Sequence, residues 1–157
     1  MARSPSPGFA LVEALIAALL VATAVVGLTH LVTVGLTQAL RTRQSAAALT
    51  LAQAKLEELR GLTWHFDADG TRVSSPELAA SPPSTLLQDL DGWVERLDRF
   101  GAPGAPGEVT PYQRRWAIAL FDAADLDTLV LQVCVFTTGR PGAAADACVW
   151  TLRTRKP

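Results

Sequence analysis

The feature that most constrains this chain is a stretch of 27 residues, Ala14 to Leu40, that contains no Asp, Glu, Lys or Arg. About 20 consecutive apolar residues are enough for a helix to cross the hydrocarbon core of a bilayer. The rest of the 157-residue chain has ordinary polarity, with Pro, Gly and Asp at intervals that mark turns. We therefore predict one membrane-spanning helix followed by one small folded domain.

The apolar stretch does not fit a secretory signal peptide, which has a basic start, an apolar core of 7–15 residues and a small-residue cleavage site. Arg3 is the only basic residue ahead of the stretch, and no cleavage site of that kind follows it. A simple signal anchor is the alternative. It leaves Glu13 unexplained, because a carboxylate in hydrocarbon costs a few kcal/mol.

The stretch GFALVE, residues 8–13, and the apolar run after it resemble the cleavage and methylation motif of type IV prepilins and type II secretion pseudopilins. That family has a Gly, then a hydrophobic residue that is often Phe, and a Glu at the fifth position of the mature chain. Gly8, Phe9 and Glu13 match this pattern. The resemblance implies that a prepilin peptidase cuts between Gly8 and Phe9 on the cytoplasmic face, and that the new Phe9 amine is N-methylated.

A carboxylate at position 13 has a physical explanation once the chain is cut before Phe9. The new positive amine lies only four residues from Glu13. In a filament, the Glu13 carboxylate of one subunit can meet the Phe9 amine of a neighbour. Such a pair is favourable where the dielectric constant is low, whereas an unpaired carboxylate there is costly. Glu13 is thus predicted to recruit a second subunit and to set the stagger between the two.

The helical pattern continues past the apolar run into QSAAALTLAQAKLEELRGL, residues 44–62, which is rich in strong helix formers. Apolar residues recur there at spacings of three and four, namely Leu49, Ala52, Leu56 and Leu59. This spacing predicts one apolar face, and Gly61 predicts the end of the helix. We expect one helix from Phe9 to about Arg60, whose second half is covered by a sheet.

The basic residues that flank the apolar run conflict with the orientation that the motif implies. Arg3 precedes the run, whereas Arg41 and Arg43 follow it. The positive-inside tendency alone would favour an external N-terminus. The family resemblance places the N-terminus in the cytoplasm, and we give the motif precedence.

After Gly61 the sequence changes to short strands separated by turns. LTWHF and TRV, joined by DADG, predict a hairpin with Asp69 and Gly70 in its turn, and residues 74–84 predict a loop. Further strands are predicted at 92–97, 112–121, 128–138 and 147–155, with a turn at 98–101. They predict an antiparallel meander, and the last three strands look like the C-terminal sheet of minor pilins.

The two cysteines, Cys134 and Cys148, fall on strands that are predicted to be neighbours. Disulfides form in the oxidising space beyond the inner membrane, so we predict a disulfide between them, with two buried free thiols as the alternative. Pilins often carry a C-terminal disulfide, although this loop is shorter than theirs.

Nothing in the sequence predicts an enzyme, a cofactor or a metal site. The chain has two His residues; His30 stands alone, and His65 lies near Asp67 and Asp69 without a nucleophile. Asp67, Asp69 and Gly70 do not complete a calcium-binding loop. The net charge of −1 gives no indication of nucleic-acid binding.

Together, these patterns predict an α+β protein with a pilin fold, in which a long helix packs against a small antiparallel sheet. The predicted segments are a cleaved leader (1–8), a transmembrane or filament-core half-helix (9–38), an amphipathic stem (39–61) and a periplasmic head (62–157). We expect a minor pilin or pilin-like subunit of a type IV pilus-like filament. The alternatives are a minor pseudopilin of a type II secretion system and a membrane-anchored periplasmic binding module.

The resemblance also implies the location and the partners of the protein. The chain would cross the bacterial inner membrane once, with a cytoplasmic N-terminus and a periplasmic head, and would then enter a filament. Its partners would be the prepilin peptidase and methyltransferase, other pilins or pseudopilins through the N-terminal helix, and the inner membrane itself.

Overall fold

The structure, a computed structural model, describes residues 7–105, 107–139 and 144–156. Its elements are the helix α1 (Pro7–Gly61), the strands β1 (Trp64–Phe66) and β2 (Arg72–Ser74), a 3-10 turn (Pro76–Leu78), and the strands β3 (Val94–Leu97), β4 (Tyr112–Asp122), β5 (Asp125–Thr137) and β6 (Ala147–Thr154). The α+β prediction is therefore confirmed, with one long N-terminal helix and a small antiparallel sheet.

The chain divides into two compact units, Met1–Arg43 and Gln44–Pro157. We call residues 11–40 the apolar segment, residues 44–61 the stem and residues 62–156 the head. The apolar segment belongs to the first unit. The stem and the head together form the second unit, which contains every strand.

The main sheet of the head is an antiparallel meander in the order β3-β4-β5-β6, and β1 pairs with β2 in a separate hairpin. Both features confirm the prediction from turn residues. One connection differs from it, because β4 and β5 extend until Asp122 pairs with Asp125 and only two residues remain in the turn. The Asp122 carboxylate accepts a hydrogen bond from the Ala124 amide at 3.0 Å, so this Asp closes a tight turn rather than a loop.

The core of the head forms where the stem packs against one face of the sheet. The stem contributes Ala48, Ala52, Leu56 and Leu59, and the sheet contributes Trp116, Ile118, Leu129, Leu131, Val133 and Val135. Burial of each large apolar side chain contributes about 2 kcal/mol. The apolar face is rotated from the predicted one, since Ala48 is fully buried whereas Leu49 remains 41% exposed. Small side chains at 48 and 52 let the sheet approach the helix closely.

The turn after β3 is positioned by Asp98 and Gly101, as the sequence predicts. The Asp98 carboxylate accepts hydrogen bonds from the amides of Phe100, at 2.7 Å, and Ala102, at 2.9 Å. Gly101 has a φ of 86°, and a Cβ atom at this position would lie 2.7 Å from the Leu51 side chain. Glycine is required here both for its backbone conformation and for the close approach to the stem.

The last strand, β6, alternates between two environments. Its half-buried residues, Val149, Thr151 and Arg153, lie on the core-facing side, whereas Trp150 and Leu152 are exposed on the outer face. Arg153 donates hydrogen bonds to the carbonyls of Leu59 and Leu62 at the C-terminal end of the stem. A cation at this end of a helix satisfies free carbonyls and interacts favourably with the helix dipole.

Candidate functional site

The apolar segment is the candidate assembly surface. Among the described residues, α1 is the one helix long and apolar enough to cross a membrane, and it lies near the N-terminus. Its large apolar side chains from Leu11 to Leu40 are exposed, from 44% for Val34 to 70% for Leu31. A continuous apolar surface of this size is unfavourable in water. The apolar segment therefore needs lipid or other apolar helices around it.

The polar groups of the apolar segment are compatible with such surroundings. Four threonine hydroxyls donate to carbonyls one turn earlier, from Thr23 to Leu19, Thr29 to Val25, Thr33 to His30 and Thr37 to Val34, at 2.8–3.0 Å. The helix continues without a break through Gly27 and Gly35. Backbone and hydroxyl groups are thus satisfied within the helix, as an apolar environment requires.

Glu13 is the exception, because it is the one acidic residue in the apolar segment and its side chain is exposed. In the part of the chain that the structure describes, Glu13 forms no ion pair. Its only ionisable companion between positions 11 and 40 is His30, which is also exposed and lies 17 positions away. Residues 14–40 contain no Lys or Arg, so this stretch offers the Glu13 carboxylate no fixed positive charge.

The predicted cleavage site lies at the start of α1. Residues 1–6 of the predicted leader lie outside the described residues, and Pro7 is the first helical residue. Gly8 and Phe9 follow in the first turn. The amides of a first helical turn have no partners within the helix, so the backbone around Gly8 opens more easily than the rest of α1.

The two cysteines form a disulfide between β5 and β6. Cys134 and Cys148 are directly opposite each other in the register, with their Cα atoms 4.2 Å apart. The bond lies on the outer face of the sheet, where Cys134 is buried. The alternative of two free thiols is thereby removed, and the bond ties the edge strand to the centre of the sheet.

A buried ion cluster fixes the stem to the head. The Lys55 ammonium lies 2.8 Å from the Glu95 carboxylate on β3 and 4.3 Å from the centre of the Trp116 ring. Arg114 on β4 also binds Glu95 and donates to the Leu51 carbonyl at 2.9 Å. Although burial raises the pKa of Glu95, the hydrogen bonds from Lys55 and Arg114 outweigh that effect and lower the pKa.

We expect Glu95→Gln to lower the free energy of unfolding at neutral pH by about 2 kcal/mol, because two buried cations lose their carboxylate. The folded-state pKa of Glu95 is depressed, so its contribution is present above the ordinary Glu value of about 4.3 and is lost as pH falls through the folded-state pKa. Chemical unfolding measured across this range checks both statements.

The control for Glu95 is Glu58→Gln, which removes the exposed carboxylate bound to the same Lys55. Its effect should stay below about 0.5 kcal/mol, since exposed ion pairs contribute little. An equal loss in both variants, or a loss from Glu95→Gln that is unchanged at pH about 3, would contradict the role given to Glu95.

A second cluster holds the hairpin β1–β2 against the sheet. Arg72 on β2 binds the Asp127 carboxylate through two nitrogens, at 2.8 and 3.0 Å, and Arg155 binds the same group at 3.2 Å. The Arg155 guanidinium lies 3.5 Å from the centre of the Trp64 ring. The hydrogen bond from Arg72 is the main cause that lowers the pKa of Asp127. Sequence patterns gave no signal for this cluster, because its members are far apart in the chain.

No catalytic or metal-binding arrangement is found within residues 7–105, 107–139 and 144–156. No group of three or more His, Cys, Asp or Glu residues there could hold a metal ion. The Asp67 carboxylate accepts hydrogen bonds from the amides of Asp69 and Thr71, so it stabilises the hairpin turn. A surface cavity of about 570 Å³ beside β3 is an open groove in which Asp89 and Glu95 are paired with arginines.

The arrangement as a whole separates two roles within one chain. The apolar segment carries a single carboxylate, Glu13, on an otherwise apolar surface, and the head is a small, disulfide-bonded module built on the stem. No protein-family model matches this chain, and comparisons with curated proteins and with solved structures find no match either.

Proposed function

We propose that this protein is a structural subunit, a minor pilin or pilin-like protein that is incorporated into a type IV pilus-like filament after cleavage by a prepilin peptidase. The observation that carries the proposal is the exposed apolar segment with its one carboxylate, Glu13. Glu13 would be the fifth residue of a chain that begins at Phe9. A small antiparallel head packed on the continuation of the same helix supports it.

The mechanism of assembly follows from electrostatics in an apolar medium. Glu13 carries a cost when it is alone among lipid tails or apolar side chains. The methylated Phe9 amine of a neighbouring subunit removes that cost, while the apolar side chains around it exclude water and strengthen the pair. Because both groups occupy fixed positions on their helices, pairing also selects one axial offset between subunits.

The proposed location places the N-terminus in the cytoplasm, the apolar segment in the inner membrane and the head in the periplasm. The disulfide between Cys134 and Cys148 supports an oxidising compartment for the head. The partners proposed are the prepilin peptidase and methyltransferase, which act on Gly8 and Phe9, and the N-terminal helices of other pilins or pseudopilins.

The mature N-terminus provides the test of this function. Mass spectrometry of the protein purified from its native membrane should find a chain that begins with N-methylated Phe9. A chain that retains Met1, or one cut after the apolar segment, would contradict the proposal and favour a signal anchor or a secretory signal. A Gly8→Leu variant should accumulate uncut, and Pro5→Ala, in the leader, provides the matched control that should still be cut.

A minor pseudopilin of a type II secretion system would share this motif and this processing. Deletion of the gene separates the two systems. Loss of surface pili and of surface motility would assign the subunit to a pilus, whereas failure to release exoproteins would assign it to secretion. A normal result in both, with an unmethylated chain, would leave a membrane-anchored binding module.

A further inference from the structure

The two edges of the main sheet differ in how they are protected. At the β3 edge, the Gly104 amide donates to the Arg96 carbonyl at 2.9 Å and Leu97 forms a bridge with Pro103, so the following segment covers that strand. At the other edge, β6 pairs with β5 on one side only. An unpaired edge strand presents a row of free N–H and C=O groups to any extended chain.

The register shows which residues of β6 face outward. The Arg155 amide donates to the Asp127 carbonyl at 2.8 Å, so these residues form a hydrogen-bonded pair. Hydrogen-bonded and non-hydrogen-bonded pairs alternate along an antiparallel ladder. The backbone groups of Cys148, Trp150, Leu152 and Thr154 therefore point away from β5. The Lys156 carbonyl has the same parity, and it accepts a hydrogen bond from the Phe66 amide on this outer side.

Within the described residues, the outward backbone groups of residues 148–154 accept one hydrogen bond, from the Thr151 hydroxyl to the Leu152 carbonyl at 3.3 Å. Edge strands are protected by Lys, Pro, bulges or an inward-pointing charge. β6 contains neither Lys nor Pro and pairs with β5 without a register shift. Of these devices it has only the inward-pointing charge of Arg153, whose guanidinium is bound by the Leu59 carbonyl of the stem.

The side chains beside the free row are apolar and exposed. Trp150 is 68% exposed and Leu152 is 46% exposed, and both lie on the outer face of the sheet next to the disulfide. Strand addition uses two features, namely unpaired backbone groups and adjoining side-chain contacts. Main-chain hydrogen bonds give affinity, and alternate side chains give specificity.

We propose that the β6 edge binds an extended strand of a different protein, which extends the sheet from β3-β4-β5-β6 by one strand over residues 148–154. The strand would place apolar side chains beside Trp150 and Leu152 on the outer face. This inference concerns the head alone and stands independently of filament assembly through the apolar segment.

A second copy of this chain is a poor occupant for reasons of charge and geometry. β6 contains no Asp or Glu, so antiparallel pairing with a second β6 would bring no carboxylate to Arg153. Parallel pairing is staggered and gives no equivalent two-fold contacts, and pairing with β3 of a second copy is blocked by residues 102–104.

The charge around β6 specifies the partner further. Arg153 has two carbonyls as its acceptors and no carboxylate partner among the described residues. Burial, and then the nearby charge of Arg60, lower the pKa of Arg153. Lys156 adds an exposed positive charge at the same end of the strand. The partner strand should therefore carry a carboxylate opposite Arg153.

The test uses the full chain in lipid nanodiscs and the acetylated peptide Thr-Glu-Val-Thr-Val-Thr-Val as the probe. In the antiparallel register, its Glu lies opposite Arg153 and its Val residues opposite Leu152, Trp150 and Cys148. At about 1 mM peptide, a concentration suited to a short and weak interface, amide hydrogen exchange at 148, 150, 152 and 154 should slow at least about tenfold. Unchanged exchange at these four amides would overturn the proposal.

Two controls distinguish strand addition from adhesion to an apolar surface. A peptide N-methylated at alternate amides, so that it cannot bond to β6, should give no protection, and replacement of its Glu by Lys should weaken binding at least about tenfold. Equal binding of the N-methylated peptide would overturn the proposal. So would protection confined to the amides of Phe121 and Leu126, whose side chains form a different exposed apolar surface.

A protein variant completes the test. Leu152→Pro removes an amide that points away from β5, so the fold should tolerate it as edge strands tolerate Pro, yet peptide binding should fall at least about tenfold. Leu152→Ala loses the same side chain but keeps the amide and should bind within about threefold of the original protein. Equal peptide binding by the two folded variants would contradict the proposal. Self-association of the unaltered protein that Leu152→Pro abolishes would also contradict it, because the edge would then bind a second copy of this chain.

Discussion

Replacement of Glu13 by Ala should leave cleavage between Gly8 and Phe9 intact and should reduce incorporation of the subunit into filaments at least about tenfold. In the proposed filament, the Ala variant lacks the carboxylate that pairs with the neighbouring amine, so each contact would leave a positive charge in an apolar environment. Tenfold corresponds to about 1.4 kcal/mol, which is below the cost of leaving such a charge unpaired. The measurement is the ratio of filament-bound to membrane-bound protein, with the mature mass as the check on processing.

Two further substitutions at position 13 separate charge from size. Glu13→Gln keeps the shape of the side chain and removes the charge, so it should assemble as poorly as Glu13→Ala. Glu13→Asp keeps the charge on a shorter side chain and should recover part of the assembly. Assembly of the Gln variant at the level of the unaltered protein would show that the carboxylate does not pair with an amine.

Loss of the disulfide should have the largest effect on the stability of the head. The bond joins cysteines that are 14 positions apart, and the chain-entropy estimate for a loop of this length is about 3 kcal/mol. We expect the double variant Cys134→Ser, Cys148→Ser to lose about that much free energy of unfolding. Chemical unfolding of the full chain, followed by tryptophan fluorescence, measures it.

Reduction of the unaltered protein provides a second route to the same state. A reducing agent should lower the unfolding midpoint of the original chain to near that of the double variant, and should leave the variant itself unchanged. A polar substitution at a distant exposed position, Val109→Ser, should change the free energy by less than about 0.5 kcal/mol. A double variant as stable as the Val109→Ser control would contradict the structural role of the bond.

The bond also matters for the proposed edge site, because it ties β6 to β5 beside Trp150. Without the disulfide, β6 would separate from β5 more easily. The outward backbone groups of β6 would then no longer form a defined surface. The disulfide variants should therefore also bind the strand peptide less tightly, even at temperatures at which the stem and the other strands remain folded.

Much of the fold follows from local patterns. The helix ends at Gly61, the hairpin turns at Gly70, and β3 to β6 lie close to their predicted positions, because turn residues and alternation act over a few residues. Local rules failed where contacts across the sheet decide the outcome. The buried face of the stem centres on Ala48 and Ala52 rather than on Leu49, since the sheet selects the helix face that allows the closest approach.

The outward position of Trp150 is a second case. Alternation along β6 shows that Trp150 and Leu152 share a face, but it does not show which face meets the stem. That choice is fixed by Arg153, whose guanidinium reaches the Leu59 carbonyl in the last turn of α1, and by the cross-strand bond of Cys148. A one-residue shift of register would reverse both.

The candidate site divides in the same way. The pattern from Gly8 to Glu13 is contiguous and is visible in the sequence, whereas the cluster of Lys55, Glu95 and Arg114 joins three separate elements. Lys55 is the one member of the cluster that the sequence indicates, because it lies one position before Leu56 on the apolar side of the stem. A long charged side chain in such a place indicates a buried partner, but the sequence does not identify that partner.

The proposed pairing of Glu13 with the amine of a neighbouring subunit is tested in filaments assembled from two differently labelled pools of protein. One pool carries a 15N label at the Phe9 amine and the other a 13C label at the Glu13 carboxyl, so that solid-state dipolar recoupling detects only contacts between subunits. We predict a separation of about 4 Å or less, as in an ion pair. Absence of intersubunit dephasing in fully assembled filaments would contradict the account.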